Sequence, residues 1–234
     1  MTLGFLFTLL GYATGAAVFW WRARERGLAT EGMGIIAAAA FFGGIVGAKT
    51  SQWLVAAPGA LATNPLLLAD PSTGGRTLVG GILGGWLAVR YARRRLGVTR
   101  STGDLFALAL PAGEAIGRMG CFFNECCYGI PSSGLFICYQ HGANRHPVQI
   151  DMAVSAALIF GFLLFKRDKV TREGELFNMY LLLFGVSRFA LEFLRERTLV
   201  FGSLSLAQCI SLGLAAWGAH RLIIAPQKSV GESL

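Results

Sequence analysis

The sequence predicts an all-α, polytopic integral membrane protein, a helical bundle of about seven transmembrane helices. Hydrophobic residues make up 54% of its 234 residues and charged residues only 15%, whereas a soluble domain carries about a quarter charged residues. The apolar residues occur in blocks of roughly 17–25, the length that crosses the hydrocarbon core of a bilayer. Because backbone groups in lipid must satisfy their own hydrogen bonds, blocks of this length are expected to be helices.

Seven apolar blocks are candidate spans of a single membrane domain over residues 1–224, followed by a short tail at 225–234. The first block, FLFTLLGYATGAAVFWW, has no basic segment before it, so we interpret it as a span and not as a cleaved signal peptide. Closely spaced small residues, as in GGIVGA and GGILGG, favour tight helix packing over a glycine-rich ligand site. The predicted spans are about 4–21, 32–55, 77–92, 103–124, 148–166, 175–194 and 203–223.

The basic residues predict the orientation of the bundle. Most of the 21 Lys and Arg residues lie in connections on one side of a seven-span chain, and this side is cytoplasmic by the positive-inside rule. The N-terminus is therefore expected outside and the C-terminal tail in the cytoplasm. The net charge of +8 reflects this topology, so no nucleic-acid partner is expected. The fourteen basic residues on the predicted cytoplasmic side are Arg22, Arg24, Arg26, Arg90, Arg93, Arg94, Arg95, Arg100, Lys166, Arg167, Lys169, Arg172, Arg221 and Lys228.

The other seven basic residues fall towards the outer face, some of them within hydrocarbon depth. Positive charge there opposes the orientation rule, so something other than topology should account for it. These residues are Lys49, Arg76, Arg118, Arg145, Arg188, Arg195 and Arg197.

Two Glu–Arg pairs lie inside predicted spans. Glu114 and Arg118 are four residues apart, as are Arg188 and Glu192, so each pair shares one helical face. Charges within a span are costly and usually face the bundle interior or a cavity. Each pair alone could simply neutralise itself and fix helix packing. Two pairs at one depth, near other arginines, favour a cationic pocket open to the outer leaflet, where arginine binds lipid phosphate.

Histidine and cysteine residues lie beside this predicted pocket. His146, in RHPVQ at 145–149, either orients a headgroup or moves a proton, or is an ordinary surface residue. Two interpretations of the cysteines stay open: Cys126 or Cys127 is bridged to Cys138, because disulfides can form on the outer side, or these are inert buried thiols. The cysteine spacing fits no common zinc pattern, so no metal site is predicted.

These motifs resemble one family, the phosphatidylglycerol–prolipoprotein diacylglyceryl transferases. The family signature Gly-Arg-x-Gly-Asn-Phe-x-Asn resembles GRMGCFFN at 117–124, and Gly129 matches a later glycine. The family's Arg-His-Pro-x-Gln resembles 145–149, and its Arg-x-x-x-Glu-Phe-x-Arg resembles 188–195. VGGILGG and VGAK are similar to two further segments of the family.

The chain departs from the family pattern at several positions. Cys121 stands for Asn, Cys126 for Glu, Val79 for His, Asp151 for Tyr, Met152 for Glu and Lys49 for Arg. The resemblance therefore implies the part of the family's reaction that involves the phospholipid more strongly than the part that involves the acceptor.

The resemblance implies a multi-pass enzyme of the bacterial inner membrane that needs no cofactor and whose active site faces the outer leaflet. It transfers the diacylglyceryl group of phosphatidylglycerol to a lipobox cysteine of a lipoprotein precursor and releases glycerol phosphate. Alternatives are a paralogue with another acceptor and a non-catalytic protein that binds or transports phospholipid. The general base is open between His146, Glu114, Glu125 and Cys126. The implied catalytic residues are Arg118, Arg188, Glu192 and His146, and the implied substrate-binding residues are Lys49, Arg76, Glu114, Asn124, Gly129, Arg145, Gln149 and Arg195.

Overall fold

The computed structural model describes residues 2–56, 63, 64, 66, 78–99, 101–196 and 199–224. Long α-helices dominate this part of the chain. They are α1 (Leu3–Glu25), α2 (Glu31–Ala56), α3 (Leu78–Arg95), α4 (Gly103–Phe123), α5 (Val148–Lys166), α6 (Glu175–Leu191) and α7 (Leu206–Ile224). A 3₁₀ helix (Glu192–Leu194) continues α6, and the short strands are β1 (Cys138–Gln140), β2 (Ala143–Arg145), β3 (Leu199–Phe201) and β4 (Leu204–Ser205).

Five segments of the described residues are long and apolar enough to cross a membrane. They are Leu3–Glu25, Glu31–Ser51, Gly103–Phe123, Val148–Lys166 and Glu175–Leu194. At most 39% of any span is buried inside the protein, and large apolar side chains such as Leu158 and Phe165 are exposed on helix surfaces. Lipid is the solvent that accepts such surfaces, so the chain is a polytopic helical membrane protein.

The chain divides into two compact units, Met1–Arg22 with Ser101–Leu234, and Ala23–Arg100. In the second unit α2 packs closely against α3. A Cβ placed on Gly47 would lie 2.2 Å from the carbonyl oxygen of Gly80, and one on Gly84 would lie 2.3 Å from that of Gly43. The predicted packing through small residues is therefore confirmed. A single domain over 1–224 stays a prediction, and the tail at 225–234 lies outside the described residues.

The first unit, which carries most of the polar residues of interest, packs α4 against α5 and α6 against α7. Its core includes Leu108 of α4, Leu163 of α5, and Leu176 and Tyr180 of α6. At one end of this unit the carboxylate of Asp104 accepts hydrogen bonds from the backbone N–H groups of Gly174 (2.9 Å) and Phe177 (3.1 Å). The beginnings of α4 and α6 are therefore adjacent. We call this end the cap end.

The opposite end, which we call the site end, is where α4 and α6 finish and α5 and α7 begin. The hairpin β1–β2, with Cys138 opposite Arg145, lies in the connection between α4 and α5. The backbone N–H of Ile130 donates to the carbonyl oxygen of Leu194 (3.0 Å), which ties this connection to the end of the 3₁₀ helix. The site end therefore gathers segments that are far apart in sequence.

Candidate functional site

The first Glu–Arg pair lies on α4, close to the site end. Arg118 donates from Nε (3.0 Å) and Nη2 (2.7 Å) to the same oxygen, Oε1 of Glu114. The i, i+4 spacing on one helical face makes this pairing local, as the sequence predicts. Among the described residues no acceptor contacts Nη1 of Arg118, so the guanidinium retains donor capacity.

The second pair lies where α6 tightens into the 3₁₀ helix. Arg188 forms an ion pair through Nη1 with Oε2 of Glu192, and the two side chains are only 7% and 4% exposed. Arg195 follows the 3₁₀ helix in an extended conformation, and its Nη1 lies 3.7 Å from the same Glu192 oxygen. One buried carboxylate thus holds two guanidinium groups.

Ser205 of β4 and Gln208 of α7, two polar residues that were not predicted from the sequence, support this carboxylate directly and through Ser205, respectively. Ser205 donates from Oγ to Oε1 of Glu192 (3.1 Å). Gln208 accepts from the backbone N–H of Ser205 (2.9 Å), and its own N–H donates to Ser205 Oγ (3.2 Å). This is a capping box, and the sequence SLAQ at 205–208 is the signal that could have identified it.

One member of each Glu–Arg pair lines a narrow cleft between α4, α5 and α6. Glu114 and Arg188 border it together with Ser155, Ser187 and apolar side chains. Arg118 and Arg195 lie close enough to Arg188 for their charges to interact with its own.

These three arginines keep unused donors. Within the described part of the chain, Nε of Arg195 is buried and has no hydrogen-bond partner. Among the same residues, the guanidinium of Arg188 contacts its carboxylate partner through Nη1 alone. Buried N–H groups are nearly always paired in proteins, so unused donors on adjacent cations indicate a site for an anion.

Arg145 is placed differently, because its donors are used within the protein. It donates from Nε to the carbonyl oxygen of Gln140 (3.2 Å) and from Nη1 to that of Gly129 (3.1 Å). It also forms an ion pair with Glu196 and lies over the Tyr128 ring, 4.4 Å from its centroid. Through these contacts Arg145 stabilises the connection that contains β1 and β2. Its predicted contact with substrate stays a prediction.

His146 pairs with a residue that departs from the family pattern. Its Nε2 contacts Oδ2 of Asp151, one turn into α5, and both side chains are partly exposed. The neighbouring Met152 lines the cleft. The backbone N–H of His146 donates to the carbonyl oxygen of Ile130 (3.1 Å), so the connection after α4 holds the histidine in place.

The remaining predicted residues of this unit shape the wall of the site end. The buried Gln149 donates from Nε2 to the carbonyl oxygen of Cys126 (3.0 Å) and to Oε1 of Gln140 (3.1 Å). Gly129 permits a close approach of chains, because a Cβ there would lie 2.2 Å from the carbonyl oxygen of His146. The side chain of Asn124 lies against Gly4 of α1.

Three other basic residues were predicted near the outer face. Lys49 is buried in α2, within the unit Ala23–Arg100, and its participation in the site stays a prediction. Arg76 and Arg197 lie outside the described residues.

The cysteines depart from the pairing that the sequence left open. All five thiols are free, and Cys138 contacts the carbonyl oxygen of Arg145 (3.6 Å), so no bridge joins it to Cys126 or Cys127. Hydrogen bonds with Cys121 and Cys126 lower the pKa of Cys127, and the charges of Arg195 and Arg118 lower it further.

The pKa values of the other two thiols in this connection, Cys126 and Cys138, are raised. Hydrogen bonds with Cys121 and Cys127 raise the pKa of Cys126. Partial burial and the charge of Glu125 raise the pKa of Cys138. Cys127 is therefore the thiol of this connection that ionises most readily.

Comparisons with known proteins place similarity along nearly the whole chain. A family model described as prolipoprotein diacylglyceryl transferase matches residues 4–224. A phosphatidylglycerol–prolipoprotein diacylglyceryl transferase from Clostridium tetani is 30% identical over 182 residues, which is 74% of this chain and 72% of the relative. A protein of the same name from Symbiobacterium thermophilum is 30% identical over 208 residues, 84% of this chain and 78% of the relative. One from Gloeobacter violaceus is 37% identical over 162 residues, 62% of this chain and 59% of the relative.

Proposed function

We infer the function of this chain from the premise that it belongs to the prolipoprotein diacylglyceryl transferase family. It is a membrane-embedded transferase that moves the diacylglyceryl group of phosphatidylglycerol to a cysteine thiol of a lipoprotein precursor. The observation that best supports this conclusion within the structure is the group of three adjacent arginines with unused donors, Arg118, Arg188 and Arg195.

The three arginines bind and steady the phosphate of the lipid. Positive charge that is already in place stabilises the negative charge that develops on a departing phosphate, and it needs no reorganisation at the moment of reaction. Glu114 holds Arg118 and Glu192 holds the other two, so the cations are fixed before lipid arrives. Their planar guanidinium groups can hold phosphate oxygens in a bidentate way.

The transfer step forms one bond and breaks another. The sulfur of the acceptor cysteine bonds to the glyceryl carbon that bears the phosphate, and the bond from that carbon to the phosphate oxygen breaks. The electron pair leaves with glycerol phosphate, whose charge the arginines stabilise. The thiol proton must pass to a base, because the thiolate is the nucleophile.

His146 is the residue that we assign as this base. When Nε2 carries the ring proton and donates it to Asp151, Nδ1 holds a lone pair that can accept the thiol proton. A carboxylate in this position fixes the tautomer and stabilises the imidazolium that forms. Asp151 stands where the family has Tyr, so this His–Asp pair compensates for Val79, which has no acid–base chemistry.

The sequence predicts further substrate-binding residues. Lys49 and Arg76 are predicted from the sequence alone to supply positive charge to the lipid phosphate. Asn124 and Gly129 border the headgroup, and Gln149 holds the Cys126 carbonyl group in place.

The membrane topology completes the proposal. The five described spans, together with α3 and α7, make seven crossings with the N-terminus outside and the tail at 225–234 in the cytoplasm. The protein then lies in the bacterial inner membrane, and its site end faces the outer leaflet. The distribution of basic residues supports this orientation.

A turnover assay tests the function. Purified full-length protein in detergent is given phosphatidylglycerol and a lipobox peptide, and Arg188→Ala protein is the control. We expect release of glycerol phosphate together with a gain in peptide mass equal to a diacylglyceryl group, and loss of both in the variant.

Other outcomes would replace this conclusion. Glycerol phosphate release without a gain in peptide mass would identify an enzyme with another acceptor. Bound phosphatidylglycerol without release would identify a phospholipid-binding protein. Full activity of Arg188→Ala protein would contradict the assignment of the phosphate site.

A further inference from the structure

Three cysteine thiols converge at the site end of α4, and the transfer mechanism does not require them. Cys121 lies in the last turn of the helix, and Cys126 and Cys127 follow it in the connection. Their sulfur atoms all lie within 4.8 Å of one another. Cys126 is exposed, so the group can be reached from outside the protein.

The backbone of the connection turns so that the sulfur atoms of two consecutive residues, Cys126 and Cys127, both lie close to that of Cys121. Glu125 and Cys127 have φ values of +50° and +61°, in the left-handed region that residues other than glycine seldom adopt. The N–H of Cys126 donates to the carbonyl oxygen of Cys121 (3.0 Å) and folds the connection back over the helix end. Gln149, fully buried, fixes the Cys126 carbonyl group from α5. The triangle of sulfurs is therefore formed before any ligand arrives.

The surroundings of the triangle suit a negatively charged complex. The guanidinium of Arg118 lies within electrostatic range of Cys121 and Cys127, and that of Arg195 lies within range of Cys127. Three thiolates around a monovalent or divalent cation leave a net negative charge. The two arginines compensate this charge.

We propose that Cys121, Cys126 and Cys127 bind one thiophilic d¹⁰ cation, Cu⁺ or Zn²⁺, through their three sulfur atoms. Thiolates select these ions in proteins. A zinc–sulfur bond is about 2.3 Å long, so three sulfurs around one ion are separated by about 4 Å. The sulfurs need to approach by less than about 1 Å to reach this geometry. Zn²⁺ would complete a tetrahedron with water, whereas Cu⁺ accepts three sulfurs alone.

The test measures metal bound to the full-length protein in detergent. The protein is reduced with a phosphine, equilibrated with Zn²⁺ or, without oxygen, with Cu⁺, and separated from unbound ion before metal analysis. We expect one ion per chain. Cys121→Ser should weaken binding by more than the roughly 10–100-fold that is lost with an outer-shell partner. Cys138→Ser and Cys209→Ser are matched controls and should bind as the unmodified protein does. Competition between the ions then identifies which is preferred.

X-ray absorption of the loaded unmodified protein gives a second measurement that does not depend on how the variants fold. Three sulfur neighbours around the ion would support the proposal, and a shell of nitrogen and oxygen only would overturn it. Undiminished binding by Cys121→Ser protein would also overturn it. So would a disulfide between two of the three cysteines in protein isolated without added oxidant.

Discussion

The two ends of the unit Met1–Arg22 with Ser101–Leu234 both concentrate charged residues, but they use them differently. At the cap end, both oxygens of Asp104 accept backbone N–H groups at the start of α6. The buried Arg22 lies 3.6 Å from Asp168 and donates from Nη2 to the carbonyl oxygen of Arg167 (3.1 Å). At the site end, Glu192 is shared by two arginines, and Nε of Arg195 has no partner among the described residues.

This difference separates charges that stabilise the fold from charges that are available to a ligand. A helix N-terminus presents backbone N–H groups that have no partner within the helix, and each oxygen of Asp104 accepts one N–H group at the start of α6. Three arginines held by two carboxylates leave a surplus of positive charge and of donors. Burial alone does not distinguish the ends, because Arg22 and Arg188 are equally inaccessible. The two ends differ in whether the donors of their charged groups have hydrogen-bond partners among the described residues.

The largest effect is expected for Arg188→Ala compared with Arg22→Ala, a matched pair of buried arginines. Arg188→Ala should lower the rate of glycerol phosphate release by about 100- to 1,000-fold, as does removal of one donor from an oxyanion hole. Arg22→Ala should lower thermal stability in detergent and leave the rate per folded protein unchanged. Equal losses of rate in the two variants would remove the distinction between the ends.

The second-largest effect on the transfer rate is expected for substitution of the proposed base, His146. His146→Gln should lower the transfer rate by about 100-fold, because general base catalysis contributes at least that much. Asp151→Asn should cause a smaller loss, because it keeps the ring but weakens its orientation. The control is His220→Gln on α7, which should keep full activity. Normal transfer by His146→Gln protein would move the base to Glu114, Glu125 or Cys126.

Ser205→Ala should lower the transfer rate by about tenfold through Glu192. A hydrogen bond to a charged group contributes about 1.5 kcal/mol or more, and 1.4 kcal/mol corresponds to a factor of ten. Ser211→Ala is a matched control, because Ser211 is a buried serine like Ser205 but lies on α7 and donates to the carbonyl oxygen of Ala207 (2.7 Å). If both variants are equally active, Ser205 does not act on the arginine cluster.

Asp104→Ala should have the smallest effect on activity, namely none. Loss of this cap should lower the free energy of unfolding by about 1 kcal/mol, which thermal unfolding in detergent would show as a lower midpoint. The transfer rate of the folded variant should equal that of the unmodified protein. A loss of rate without a loss of stability would mean that the two ends are coupled.

The helices could be predicted closely from sequence. The block at 148–166 coincides with α5, and that at 103–124 differs from α4 by one residue. The block at 175–194 covers α6 and the 3₁₀ helix, although the change in helix type at Glu192 was not predicted. These agreements follow from one constraint, because an apolar segment in lipid must form helix along its whole length.

The candidate site could be predicted only in its local part. Glu114 with Arg118, and Arg188 with Glu192, are neighbours along one helical face, so their spacing alone indicates the pairs. The contact of Ser205 with Glu192 joins residues that are thirteen apart in sequence and belong to β4 and the 3₁₀ helix. The use of Arg145 in organising its own connection was not visible either, since an arginine in a loop motif gives no sign of which carbonyl groups it will meet.

The sequence by itself determined that this protein is a helical membrane protein, which family it resembles, and which arginines oppose the positive-inside rule. Composition, block length and motif spacing carry that information because bilayer thickness and helix periodicity are fixed. Only the tertiary structure decided that Arg145 is engaged while Arg195 keeps an unused donor, that Asp151 partners His146, and that Cys121, Cys126 and Cys127 meet. Those outcomes depend on which groups the packing of separate segments brings within hydrogen-bond distance, and no local pattern specifies that.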